Sequence, residues 1–371
     1  MNREEFYAKV SPLDAEQLRK ILWTLYWRGT AQVRERIEDA LSPAVGPKRK
    51  AQDLPDPDQV LDEVTEFVSL ARDGAYMYGD RRVSRTERSK WRVTFRGLAT
   101  QAQSALHATD TGPAEQAMEQ LIGLACDMRD VEYFHSEDPV EAARFVVSHA
   151  VSALWQTMLD QHGFAAFAGR AAPQLIRWES EYGWTRGDGK VAENETLLAE
   201  ILAPLLTTPD MWRGFTVAYL SALDAVAREE GAGEDKASRQ RSGGSDVDYR
   251  RKSRAGTLAA WHAMLAGQLA GTDDAGLLDR LVSHRALAGP EVTFLRALIA
   301  RVTGDLDLAR KLIRDCLEEL PGSYEFHSFA AEIGADLPPR ARQLADERSR
   351  AQALIGSVVH CPGGTSTARS E

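Results

Sequence analysis

The sequence predicts an all-α protein of stacked antiparallel helical hairpins, an α-solenoid. Three observations predict it. Apolar residues recur at spacings of three and four, while period-two alternation and β-branched runs are scarce. Helix-start signals recur along the whole chain: Ser, Thr or Asp followed three residues later by Glu or Gln, or by proline at the first helical position. Short turn segments separate most of the periodic stretches, as neighbouring hairpins require. With 371 residues, 43% hydrophobic and 27% charged, the chain has enough apolar residues for a large core and the composition of an ordinary globular protein.

Residues 1–42 read as one helical hairpin. Asp14 and Gln17 form a capping-box pattern, Leu18, Ile21, Leu22 and Leu25 make one stripe, and Gly29 suits the left-handed residue after a helix. Thr30 then caps a second helix carrying Val33, Ile37 and Leu41. Residues 43–56 are polar and proline-bearing and read as a linker.

A central helical domain is expected over 57–228. Asp58 caps a helix with Val60, Leu61, Val64, Phe67, Val68 and Leu70 inward, closed by Gly74. Ser84 and Glu87 make a capping box for a helix from Arg85 to Leu106. Thr111-Gly112-Pro113 opens a helix with Met118, Leu121, Ala125 and Met128 inward. Asp138-Pro139 opens the next, with a stripe of Phe145, Val146, His149, Leu154 and Met158. Further helices are expected over 164–182, 194–207 and 209–229, with a kink or break at Pro173.

Residues 229–254 carry almost no apolar side chain and predict a disordered polar linker. Helices resume over 255–271, 274–286, 290–302, 306–319, 323–333 and 338–355, making 255–355 a C-terminal set of hairpins. Residues 356–371 read as a disordered tail.

The stretch from Thr293 to Ser323 resembles a tetratricopeptide repeat. Gly304 stands at the inter-helix turn, Ala309 five residues later, and Ile313, Cys316 and Pro321 follow at the family's spacing, with small Ala297 in the first helix. The pattern departs where the family usually has a tryptophan and this chain has Thr293. Gly112, Ala117 and Leu121 give a weaker echo. The resemblance implies a non-catalytic scaffold that offers a groove to a protein or peptide.

The segment Trp178–Lys190, WESEYGWTRGDGK, crowds aromatics and glycines together. It is not a Walker A loop, because five residues separate Gly183 from Gly189-Lys190 and Val191 follows the lysine. Leu175, Trp178 and Tyr182 continue a helical stripe, and Trp184 is expected to fold back on Trp178 past a Gly183 cap. Trp184, Arg186 and Lys190 remain candidates for the rim of a site.

The densest charge feature is the helix after Ser84. Arg85, Arg88, Arg92 and Arg96 fall within an arc of about 80° at ~100° per residue, beside a seam of Trp91, Phe95 and Leu98. Such guanidinium rows grip phosphates or acidic partners, and a neighbouring tryptophan suits nucleic acid. The alternative is that these arginines pair with carboxylates of the next helix. Glu132-x-x-His135, with His149, has the ligand types of a carboxylate–histidine metal site, but no second Glu-x-x-His accompanies it. His262, beside Trp261, reads as a core histidine.

Formal charge is −10, from 45 basic and 55 acidic residues, which disfavours non-specific contact with nucleic acid or anionic membranes. Three scattered cysteines give no disulfide framework, the N-terminus shows no signal peptide, and no apolar run is long enough to span a bilayer. The expectation is a cytoplasmic scaffold without a cofactor, binding a protein or peptide through a groove and the basic stripe Arg85, Arg88, Trp91, Arg92 and Arg96. An enzyme using Glu132, His135 and His149 is the second reading, and a nucleic-acid-associated protein the third.

Overall fold

Every regular element among the described residues is helical, with fifteen α-helices, two 3-10 turns and no strand. The structure is a computed structural model that describes residues 13, 15–28, 54–77, 80–128, 138–181, 191–237, 244–270 and 274–358. The chain divides into two compact units, Met1–Leu54 and Pro55–Glu371. No helix among the described residues is long and apolar enough to cross a membrane.

The first unit contributes α1 (Ala15–Arg28). Its sequence stripe is not buried, with Ile21, Leu22 and Leu25 each more than two-fifths exposed. Asp14 and the expected second helix of this hairpin lie outside the described residues, as does most of the 43–56 linker.

The second unit begins with α2 (Pro57–Arg72), α3 (Arg85–Ala105) and α4 (Gly112–Asp127). The cap of α2 is Asp56 and not Asp58: its carboxylate accepts the Asp58 N–H at 3.2 Å, with Pro57 opening the helix. The α3 capping box forms as its sequence dictates, Glu87 N–H to Ser84 Oγ at 3.2 Å and Ser84 N–H to Glu87 Oε2 at 2.8 Å. Helix α4 is the hub. Ala114, Met118, Leu121, Ile122, Leu124 and Ala125 bury almost its whole circumference, between α2, α3 and the long helix that follows. Fully burying Leu121 or Ile122 contributes roughly 1.5–3 kcal/mol each.

The Asp138 cap also forms, accepting the Glu141 N–H at 3.0 Å. The helix it opens, α5 (Pro139–Ala143), is only five residues long, because Arg144 turns left-handed at φ 53°. The next helix, α6 (Val147–Glu181), starts in a new phase. Val147, Ala150, Val151, Leu154, Trp155 and Met158 face inward and His149 faces solvent, which corrects the core placement of that histidine. The break in α6 falls at Gly163 and not at Pro173. Gly163 adopts φ 72°, ψ 172°, a backbone region that is essentially glycine-only, whereas Pro173 sits inside helical backbone.

After α6, residues 191–206 form short pieces around α7 (Leu198–Leu202) in place of one helix. Helix α8 (Pro209–Ala237) and helix α9 (Gly244–Thr257) then run through most of the segment expected to be a disordered linker. Val247 and Arg254 of α9 are buried, so this polar stretch has anchors that a composition average hides. The remaining helices are α10 (Ala259–Leu269), α11 (Ala275–Val282), α12 (Pro290–Val302), α13 (Leu306–Glu319), α14 (Tyr324–Glu332) and α15 (Pro339–Val358).

Burial passes from helix to helix: α4 against α6, α6 against α8, α8 against α10, α10 against α12, α12 against α13. Among the described residues there are two hydrophobic cores, and α12 serves both. Leu295 belongs to the larger, while Phe294, Ala297 and Ala300 belong to the smaller, with Ala309, Ile313 and Cys316 of α13. The α12–α13 turn places Gly304 at φ +88°, where a side chain would be strained, and Asp305 caps α13 through the Leu308 N–H at 3.0 Å. Alanines at 297, 300 and 309 let these two helices approach closely.

Candidate functional site

The arginine face of α3 follows from its seam. Trp91, Phe95, Leu98, Ala102 and Ala105 are buried at helical spacing, which turns Arg85 and Arg92 out to solvent and leaves Arg88 and Arg96 half-buried at the seam's edge. No pairing with a neighbouring helix is seen among the described residues. Among the described residues, Arg81, Arg85, Arg88, Arg92 and Arg96 form no salt bridge, and the buried Nε of Arg96 has no hydrogen-bond partner. The nearby described acids make their hydrogen bonds elsewhere, and Arg88 adds only a weaker electrostatic pull on Asp80. Asp80 binds Arg82, whose hydrogen bonds hold its carboxyl below the usual range. Glu87 is held low by its cap contact with Ser84.

Other arginines of this acidic chain have carboxylate partners. Arg72 pairs with Asp127, Arg213 with Asp274, Arg301 with Glu332, and Arg254 with Glu230. A run of guanidiniums without a salt bridge among the described residues is therefore a departure from the chain's own habit. Trp91 is not part of the accessible face: it is 2% exposed and packs edge-on to Phe95 at 6.4 Å. The expectation that it contacts a partner is corrected, because the same spacing that exposes the arginines buries it.

Glu132, His135, Trp184, Arg186 and Lys190 lie outside the described residues. His149 is exposed on α6, and no group of three or more His, Cys, Asp or Glu among the described residues is arranged to hold a metal ion. Trp178, the described half of the expected tryptophan pair, is 3% exposed and stacks on Trp155 at 6.5 Å, so its ring belongs to the core.

The sequence did not reveal an open cleft of about 690 Å³ between α6, α8 and α9. Helix α6 presents Pro173, Ile176, Arg177 and Ser180 to it. Helix α8 presents Ala222, Ala225, Val226 and Glu229 with the same spacing of three, one and three. Helix α9 closes one side with Tyr249, Arg250, Ser253 and Arg254. Two such stripes would ordinarily receive an apolar third helix. Helix α9 is too polar for that. Arg254 docks it instead, donating to Glu230 Oε1 at 2.6 Å and to the Ala286 carbonyl at 2.6 Å. The cleft contains none of the candidate site residues that sequence patterns single out, because its walls come from three helices far apart in the chain.

Two buried polar groups complete the picture. Glu115 of α4, 1% exposed, accepts from Thr111 Oγ1 at 2.7 Å, contacts His162 Nε2 at 2.7 Å and is gripped by Arg170. Burial pushes its carboxyl up, and the hydrogen bonds from Thr111, Arg170 and His162 outweigh that and hold it below the usual range. Arg170 continues to Glu119 at 2.6 Å, Glu119 accepts from Gln174, and Gln174 accepts from Trp155. This network ties α4 to both sides of the Gly163 break. The second group is Tyr219 with His262, both fully enclosed in the aromatic core.

No protein-family model, no curated protein and no solved structure matches the chain.

Proposed function

We propose that this chain is a non-catalytic helical-repeat scaffold that holds an acidic segment of a protein partner on the arginine face of α3. The observation that carries this reading is that, among the described residues, Arg85, Arg88 and Arg92 form no salt bridge, in a chain that pairs many of its other arginines with carboxylates. Guanidinium groups bind carboxylates in a planar fork that water and lysine reproduce poorly. An acidic peptide is favoured over nucleic acid because the −10 chain repels a long polyanion more than a short one.

The repeat part of the reading rests on α12 and α13. A left-handed Gly304, the buried small residues Ala297, Ala309 and Cys316, and buried Ile313 support it. A cytoplasmic setting suits the buried cysteines Cys126 and Cys316, which form no disulfide among the described residues.

The test is a pull-down with the Arg88→Glu/Arg92→Glu variant. The reading expects intact folding and loss of the acidic partner that the native chain retains. Unchanged capture removes this face from consideration. A salt-dependent gel shift of single-stranded nucleic acid, lost in the same variant, would replace the acidic protein with a nucleic acid.

A further inference from the structure

Helix α1 holds apolar side chains in solvent. Trp23 and Trp27 are 62% and 68% exposed, and Ile21, Leu22 and Leu25 are each more than two-fifths exposed. Exposed apolar residues scattered singly are ordinary, but five within one helix of 14 residues make a patch. The Trp23 ring stacks on Tyr26 at 5.8 Å and on Trp27 at 6.0 Å, so the aromatics form one joined surface.

The patch runs most of the way round the helix. At ~100° per residue, Leu18, Ile21, Leu22 and Leu25 share an arc of about 100°, and Tyr26, Trp23 and Trp27 extend it by about 140°. Gln17, Lys20, Thr24 and Arg28 fill the remaining strip. A groove on a protein partner takes one apolar face of a helix. The boundary of a bilayer surrounds most of one, and the rings of tryptophan and tyrosine favour that boundary because each joins an apolar body to a polar tip.

Charge selects the kind of bilayer. Glu16 is matched within the helix by Lys20 at 3.3 Å. Arg19 and Arg28 form no salt bridge among the described residues, which leaves α1 two positive charges. The −10 of the whole chain opposes an anionic surface, but Met1–Leu54 does not share it, with ten basic and eight acidic residues. The geometry also sets the mode of contact. Fourteen residues rise roughly 21 Å, short of the roughly 30 Å hydrocarbon core, so the helix lies along the surface and does not cross it.

We propose that α1 is an interfacial helix that binds an anionic lipid surface, with Trp23, Trp27 and the leucine stripe at the acyl boundary and Arg19 and Arg28 reaching the headgroups. The assignment makes no use of the α3 face, and either stands if the other fails.

The test is co-flotation of the full-length chain with phosphatidylcholine vesicles, with and without phosphatidylglycerol. The native chain is expected to bind the anionic vesicles at least about fivefold more tightly than the neutral ones at low salt, with the difference shrinking as salt rises. Trp23→Ser/Trp27→Ser is expected to weaken anionic binding at least about tenfold with an unchanged circular dichroism spectrum, since both rings stand mostly in solvent. Arg19→Gln/Arg28→Gln is expected to weaken it about tenfold and to leave neutral-vesicle binding unchanged. Sedimentation velocity without lipid examines the other occupant: a dimer lost in the tryptophan variant, with no vesicle binding, assigns the patch to a second copy of the chain and overturns the proposal. Equal binding to both vesicle types, no binding to either, or native-like binding by both variants also overturns it.

Discussion

Tyr219 and His262 hold each other in the aromatic core: the phenol oxygen lies 2.8 Å from the imidazole Nε2 while Trp261 sits edge-on to the Tyr219 ring at 6.0 Å. Neither group reaches water, and each is the other's polar partner. Burial pushes the His262 imidazole down to about 3 and the Tyr219 phenol up. The pair is therefore neutral across the physiological range and acts as a polar pin within an apolar layer.

That has a pH consequence. Between the ordinary histidine value of 6.5 and about 3, the unfolded chain takes up a proton that the native chain refuses. The stabilisation is complete above pH 6.5 and is lost progressively as pH falls towards 3. Urea unfolding at pH 7 and pH 5 should show the native chain losing up to about 2 kcal/mol more than a Tyr219→Phe/His262→Leu variant. Equal losses would mean that His262 accepts protons in the folded state.

Glu115 has the opposite sign. Its depressed carboxyl contributes stability above the ordinary glutamate value and loses it as pH falls through the lower folded value. The stability gap between the native chain and Glu115→Gln should be widest near neutrality and should narrow in acid. Arg170→Met should cost about 1–3 kcal/mol at pH 7 in denaturant melts, less than for a fully enclosed pair, because the arginine side chain is 38% exposed.

Two helical glycines should respond oppositely to alanine. A Cβ at Gly214 would meet Phe164 Cε1 at 2.8 Å and Cζ at 3.2 Å, so the half-buried ring would have to leave its seat against the core. Nothing lies within 4 Å of a Cβ at Gly267. Thermal melts should show Gly267→Ala stabilising by up to about 1 kcal/mol through helix propensity. Gly214→Ala should destabilise by about 1–3 kcal/mol through overpacking.

Arginines should also divide by context. Replacing Arg85, Arg88 and Arg92 with glutamine removes no ion pair among the described residues and should move stability by no more than about 0.5 kcal/mol. Arg254→Gln leaves Glu230 with the longer Arg251 contact at 3.4 Å and removes the closer partner from a site where both side chains are at most 10% exposed. It should cost about 3 kcal/mol or more in the same melts.

What the sequence made legible was local. The Ser84–Glu87 box, the Asp138 cap and the C-terminal helices near 290–302 and 306–319 follow from neighbouring residues and appear where those residues put them. The errors came from distant partners. A left-handed Arg144 shifted the phase of α6 and moved His149 from core to surface. Gly163, one glycine in an otherwise continuous pattern, broke the helix where Pro173 seemed the stronger signal. A polar stretch became α9 because Arg254 finds Glu230 on α8 and the Ala286 carbonyl beyond α11. The basic stripe was legible in spacing alone. Its lack of carboxylate partners was not, since that depends on which acids reach it through space.

The most direct test of the central claim is fluorescence anisotropy of a labelled poly-glutamate peptide titrated with the full chain at low and moderate salt. The account predicts saturable binding that weakens with salt and is lost in Arg88→Glu/Arg92→Glu while the variant melts like the native chain. Equal binding by native chain and variant, or no binding at low salt, would contradict it.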